Sequence, residues 1–249
     1  MEESRKSLFE RIRTEMISKP DIYSLDCSFP VLSKSHRNII HILDFSKQPG
    51  AHYRGVFVRL IERLEQNGII TCGRVINVNP KTSILVEPST GNGSSIYSPR
   101  KRIKELFHNS KIYGIESIAS GLAFDKMYHG TYISLFGTNP ADPILMAEFK
   151  LYGTNAPLGI PLPSQDRAIQ ERVVDEIVLV TDRRLNEVCD WKDLSGLPNW
   201  EITQESLSRE GYNFGNSSSA CISVAIDKLN GKTNQNVLCI VYDDATKYV

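Results

Sequence analysis

The chain has 249 residues, 41% of them hydrophobic, which is enough to bury a sizeable core and too much for wholesale disorder. Lysine plus arginine and aspartate plus glutamate both number 29, so the balanced charge argues against nucleic acid or an anionic membrane as the main partner. The five cysteines, Cys27, Cys72, Cys189, Cys221 and Cys239, form no CxxC pair and are odd in number, which fits buried thiols in a reducing compartment better than a disulfide frame or a zinc site.

The start, Met1-Glu2-Glu3-Ser4-Arg5-Lys6, has no apolar region behind it, and no stretch approaches membrane-spanning length. The expectation is a cytoplasmic chain with no leader and no anchor. Leu8, Phe9, Ile12 and Met16 predict an amphipathic helix over 3–18 that Pro20 ends, so residues 1–20 read as an N-terminal helix. Phe29-Pro30-Val31-Leu32 follows, then a strand at Ile39-Ile40-His41-Ile42-Leu43. The loop 46–52 leads into a helix with the stripe Val56, Leu60, Ile61 and Leu64, closed by Asn67-Gly68.

Ile84-Leu85-Val86 predicts a strand that stops at Pro88, and Ser89-Thr90-Gly91-Asn92-Gly93-Ser94-Ser95 predicts a tight loop. A helix with Ile103, Leu106 and Phe107 comes next, with Pro99 in its first turn, and then a strand at Lys111-Ile112-Tyr113-Gly114-Ile115-Glu116. Strand, glycine-rich loop, helix and strand make half of a doubly wound sheet. Glycine lets the backbone approach a phosphate closely and a helix N-terminus favours an anion, so Gly91, Asn92, Gly93, Ser94 and Ser95 are the candidate anion site. The same five residues also read as an ordinary turn. The basic run Arg100-Lys101-Arg102 with Lys104 reads as a solvated helix face.

Residues 117–163 carry Gly, Pro and Asn breakers with one helical stretch over 143–152. Residues 190–200, with Trp191 and Trp200, read as a polar loop or insertion. Asn216-Ser217-Ser218-Ser219 reads as a capping stretch before an apolar helix over 220–229. It is not a hydrolase elbow, because Ser219 stands where GxSxG needs its second glycine. His36, His41, His52, His108 and His129 lack ligand spacing, so no metal site is expected.

Several of these blocks together resemble a known family. Phe29-Pro30-Val31-Leu32, Pro49-Gly50-Ala51-His52-Tyr53, Glu65-Gln66-Asn67-Gly68 and Leu85-Val86-Glu87-Pro88-Ser89-Thr90-Gly91-Asn92 are similar to the opening of the cysteine synthases. That is the tryptophan-synthase-β-like family of fold type II pyridoxal-phosphate enzymes. Val174 to Asp182, Glu210-Gly211-Tyr212-Asn213-Phe214-Gly215-Asn216-Ser217-Ser218-Ser219-Ala220, and Val237-Leu238-Cys239-Ile240-Val241-Tyr242-Asp243-Asp244 resemble its later blocks. The resemblance implies a single α/β domain over 1–249, a mainly parallel twisted sheet with helices on both faces, with 117–163 and 190–200 divergent. It implies pyridoxal phosphate as cofactor, held by the Gly91–Ser95 loop. Asn92 resembles the asparagine that bonds the cofactor's 3′-oxygen, and Ser217 and Ser218 resemble the serine facing the pyridine nitrogen, where a neutral hydroxyl keeps the ring unprotonated.

Two departures change what the family's β-replacement on O-acetylserine implies here. The Schiff-base lysine is absent: Tyr53 or Arg54 stands at its position, and neither a phenol nor a guanidinium can form an imine. Lys47 is the nearest upstream lysine. The family also has two glycine-rich loops, and here one loop resembles both, as if most of the small mobile domain between them were missing. The expectation is a degenerate, non-catalytic member with a binding or interaction role, holding pyridoxal phosphate non-covalently if at all. A small anionic ligand or amino acid, a second copy or another protein is the expected partner. Two alternatives stand beside it: an active β-replacement enzyme or lyase using a relocated lysine, and a Rossmann-like nucleotide binder. The second would use Gly91-x-Gly93 with Glu116 on a ribose, although Ile96 occupies the third glycine position.

Overall fold

The computed structural model describes residues 21–46, 83–88, 101–145 and 163–248, apart from 102, 106, 107, 144, 189–193, 242 and 243. The predicted helix over 3–18, the predicted helix with the stripe Val56, Leu60, Ile61 and Leu64, the loop 89–95, and Lys47, Tyr53 and Arg54 lie outside those residues.

Six strands form one sheet: β1 (Asp21–Ser24), β2 (Ile39–Asp44), β3 (Ser83–Pro88), β4 (Lys111–Ser117), β5 (Glu176–Val180) and β6 (Asn236–Val241). Their spatial order is β1-β2-β6-β3-β4-β5. The pairs β2–β6, β6–β3, β3–β4 and β4–β5 are parallel, and β1 runs antiparallel to β2 at one edge. This is the expected mainly parallel α/β sheet. Near-continuous burial along β4 and β5 gives the physical reason their sequences read as apolar runs rather than alternations: both faces are covered.

The two faces have separate cores. On one, Ile40, Ile42, Tyr113, Ile115, Val178, Val180, Val237 and Cys239 meet Leu207 and the apolar residues 220–225. On the other, Ile112 and Ile177 meet Ile103, Ala123 and Ala168. Helices therefore lie on both faces.

Among the described residues the helices used below are α1 (Leu122–Met127), α2 (Thr131–Phe136), α3 (Pro163–Gln170), α4 (Arg183–Val188), α5 (Trp200–Arg209) and α6 (Asn216–Leu229). Within Phe29-Pro30-Val31-Leu32, Pro30–Leu32 form a single 3-10 turn that the extended Phe29 leads into. Three expectations need correction. Residues 117–163 are not merely breaker-rich: Gly121, Gly130 and Gly137 take left-handed conformations and punctuate α1 and α2 rather than abolishing helix. Trp200 is not part of a polar insertion. It is buried in the first turn of α5, whose N-terminus is capped by Asn199 Oδ1 accepting from the N–H groups of Glu201 and Ile202. Third, the serine stretch does not cap α6. Gly215 is the N-cap, and Ser217 and Ser218 lie within the first turn.

Lys101 lies exposed, as the solvated reading expects, and pairs there with Glu171 at 2.7 Å. Lys104 departs from that reading: it is partly buried and reaches both Asp175 and the Ser110 carbonyl at 2.7 Å, which ties its segment to the entrances of β4 and β5.

Candidate functional site

From β3 the chain moves outward to β4 and β5, then crosses back to place β6 between β2 and β3. The strand order therefore reverses at β6 and β3. In open parallel sheets a crevice forms beyond the carboxyl ends of the strands at such a point. β3 ends at Pro88 on that edge. α6 runs back against the strands before feeding β6, so its N-terminal turn faces the same edge.

Four segments furnish this edge. At the end of β2, Asp44 is buried and accepts from the Ser46 N–H at 2.8 Å and from the Tyr23 hydroxyl at 3.1 Å. Burial, reinforced by the Asp44 charge, pushes the Tyr23 phenol well above its ordinary range, so it stays a donor. Beyond β5, Asp182 accepts from the Leu185 N–H at 2.7 Å and starts α4. After β6, Asp244 accepts from Asn213 Nδ2 and the Thr246 N–H, both at 2.8 Å, which ties the chain end to the turn before α6. Gln204 Nε2 donates to the Phe214 carbonyl at 2.8 Å and to Asn216 Oδ1 at 3.1 Å, and so fixes the start of α6 from α5.

Ser217 is half-buried and Ser218 fully buried in that first turn. The extended Gly215 contributes no side-chain cap to it. A helix N-terminus with neutral hydroxyls fits an uncharged ring nitrogen or an anion better than it fits a cation. The residues present are therefore compatible with pyridoxal phosphate. Gly91, Asn92, Gly93, Ser94 and Ser95 lie outside the described residues.

Glu116, at the end of β4, was the acid that a ribose-binding reading required. It is fully buried, and its carboxylate accepts from Ser120 Oγ at 2.8 Å, the Ala123 N–H at 3.2 Å and the Phe124 N–H at 2.8 Å. Burial pushes it up to about 7 against the pull of those donors. An acid turned inward to hold α1 cannot present itself to a ribose in the crevice.

The described lysine side chains lie at the opposite end of the sheet. Lys104 and Lys101 bind Asp175 and Glu171, just before β5, and Lys228 pairs with Glu176, its first residue. Lys111 opens β4, while Lys34 and Lys232 lie in segments leading into β2 and β6. Lys126, in the last turn of α1, pairs with Asp166. Among lysines whose side chains are described, none sits at the crevice edge. Among the described residues, no group of three or more His, Cys, Asp or Glu side chains is arranged to hold a metal ion, and no helix is long and apolar enough to cross a membrane.

Sequence reasoning missed Asp44, Asn213, Gln204 and Asp244, whose partners are remote in the chain. Asp182 was legible in principle as an acid standing before the helix that follows it.

No protein-family model matches the sequence, and no curated protein is similar to it. Among solved structures, a hydrogen sulfide-producing enzyme of Fusobacterium nucleatum overlaps 80% of this chain and 50% of its own, at 18% identity and a TM-score of 0.49. A second hydrogen sulfide-producing enzyme, solved with an α-aminoacrylate intermediate, overlaps 80% and 45%, at 19% identity and a TM-score of 0.45. An O-acetylserine-dependent cystathionine β-synthase of Helicobacter pylori overlaps 76% and 46%, at 18% identity and a TM-score of 0.47. The matched part of this chain spans about half the length of each of these structures.

Proposed function

We propose that this chain is a divergent relative of the cysteine synthases that binds a small anionic ligand or amino acid at the crevice edge without performing β-replacement. One juxtaposition supports the reading above the rest. The first turn of α6, with Ser217 and Ser218, and the exit of β3 share one edge of the sheet, while the described lysine side chains lie at the other. When bound, pyridoxal phosphate supplies an aldehyde for amine capture and an electron sink. The chain's own contribution is the half-buried Ser217 hydroxyl and the backbone N–H groups of the first turn of α6. Without an amine at the position held by Tyr53 or Arg54, binding stays non-covalent and no positioned base removes a proton from Cα.

The test is to incubate the purified chain with pyridoxal phosphate, reduce with borohydride and map lysines by mass spectrometry. The expected result is reversible binding with no stoichiometric adduct. A stoichiometric adduct at Lys47 would overturn the proposal in favour of an active enzyme with a relocated lysine. Thermal protection by a nucleotide, with none from pyridoxal phosphate, would overturn it in favour of a nucleotide binder. A homodimer or a protein partner is compatible with the same reading, and sedimentation of the purified chain distinguishes a second copy from a monomer.

A further inference from the structure

The charges of the chain balance overall, but they do not balance at the rim formed by the amino ends of the parallel strands. Strand register sets that rim: Ile39 of β2 lies beside Asn236 of β6, Asn236 beside Ser83 of β3, and Ile84 of β3 beside Lys111 of β4. Two loops lead into it and are tied together. Asn38 Nδ2 donates to the Lys232 carbonyl at 2.9 Å, Asn38 Oδ1 accepts from the Gln235 N–H at 2.9 Å, and the Asn234 N–H donates to the His36 carbonyl at 2.8 Å. These ties bring Lys34 and Arg37 on the first loop and Lys232 on the second to the rim that Lys111 opens, and all four are exposed.

The acids at this rim are already taken. Asp175 pairs with Lys104, while Glu176 and Asp227 both pair with Lys228. Among the described residues, Lys34, Arg37, Lys111 and Lys232 enter no ion pair. Partial burial, with the Lys111 and Lys228 charges added to it, holds the Lys232 ammonium below its ordinary range against the pull of Glu176 and Asp227. Like charges are crowded there, and an added anion relieves the crowding.

Two features select the kind of anion. Ile39, on the same rim and two residues from Arg37, is 39% exposed, so an apolar contact stands among the cations. No Phe, Tyr or Trp is exposed among the residues whose burial is described, so the rim offers no ring on which a nucleic-acid base could stack. We propose that this rim docks an acidic polypeptide segment, with Lys34, Arg37, Lys111 and Lys232 meeting its carboxylates and Ile39 an apolar side chain between them. The surface lies at the opposite end of the sheet from the crevice and does not rest on what the crevice binds.

The test is fluorescence anisotropy of a labelled glutamate-rich peptide with a central leucine, titrated with the full chain. The wild type is expected to bind it with an affinity that falls as salt is added. Lys111→Glu and Lys232→Glu are each expected to raise Kd about fivefold or more, by placing a carboxylate where an ammonium stood. Arg184→Glu, an equal change in net charge beyond the carboxyl end of β5, leaves Kd unchanged. Replacing the peptide's leucine by serine weakens binding to the wild type. Should a charge reversal fail to fold, Lys34→Gln with Arg37→Gln on the exposed loop gives the same reading. An absence of binding, an equal loss in Arg184→Glu, or tighter binding of a single-stranded oligonucleotide of the same charge overturns the proposal. So does a salt-sensitive dimer in sedimentation that Lys232→Glu dissolves, because a second copy would then occupy the rim.

Discussion

Gly121 is the residue where sequence and structure part most sharply. In the chain it is one breaker among several. In the fold its φ is +59°, and a Cβ there would stand 2.2 Å from Cε2 of the Tyr132 ring. Tyr132 is among the largest fully buried side chains, and its hydroxyl is committed to the Ile118 carbonyl, so the ring has no room to retreat. Gly121→Ala combines a left-handed backbone with overpacking and is expected to cost about 3 kcal/mol, read as a lowered denaturant midpoint at unchanged m. The polar groups at the crevice edge teach a related lesson. Glu116 looks like a ligand-facing acid when read along the strand, yet three donors turn it inward.

Among the elements, α6 carries both the candidate chemistry and much of the packing. Its polar opening suggested a cap followed by a helix from residue 220, yet helical structure begins at Asn216. Tertiary packing explains the shift. Ser218, Ser219 and Ser223 are buried along with the apolar residues, because a helix seated on a sheet needs small side chains beneath it. The Ser223 hydroxyl satisfies itself on the Ala220 carbonyl at 2.8 Å. Ser218→Leu would force added carbons into this contact and is expected to cost about 2 kcal/mol, measured by chemical denaturation. A stability change below about 0.5 kcal/mol would mean that Ser218 faces open space at the crevice instead. The β5 edge shows a second device that pattern reading cannot see. The Tyr128 hydroxyl lies within 3.5 Å of both the Ile177 N–H and its carbonyl, taking the place a further strand would occupy.

At the scale of the whole molecule, the face of the sheet that α6 covers buries Cys221 and Cys239, and Cys239 Sγ lies 3.8 Å from the Cys221 carbonyl. Burial pushes the Cys239 thiol far above its ordinary range, so its thiolate is scarce at neutral pH. Both thiols are expected to resist alkylation in the native chain and to react at the rate of global unfolding in denaturant, followed by peptide mapping. Rapid native labelling of either would mean that α6 opens locally. Cys27 is half-buried and is pushed up to about 12 by burial and by the neighbouring Glu210 and Asp26, so slow labelling there follows from chemistry rather than enclosure.

While β5 and β6 were expected from the family resemblance, the sequence by itself determined the α/β class and the strands at β2, β3 and β4. These are local signals: apolar runs of strand length bounded by glycine, proline and polar residues. Only the tertiary structure decided the strand order, the antiparallel β1 and the left-handed glycines around α1 and α2. It also decided the inward turn of Glu116 and the placing of the described lysine side chains at the end opposite the crevice. Each of those depends on which distant segments meet, as when Asp44 receives the Tyr23 hydroxyl or Asp244 receives Asn213. A linear pattern records which side chains want burial or a partner, and the packed sheet assigns the partner.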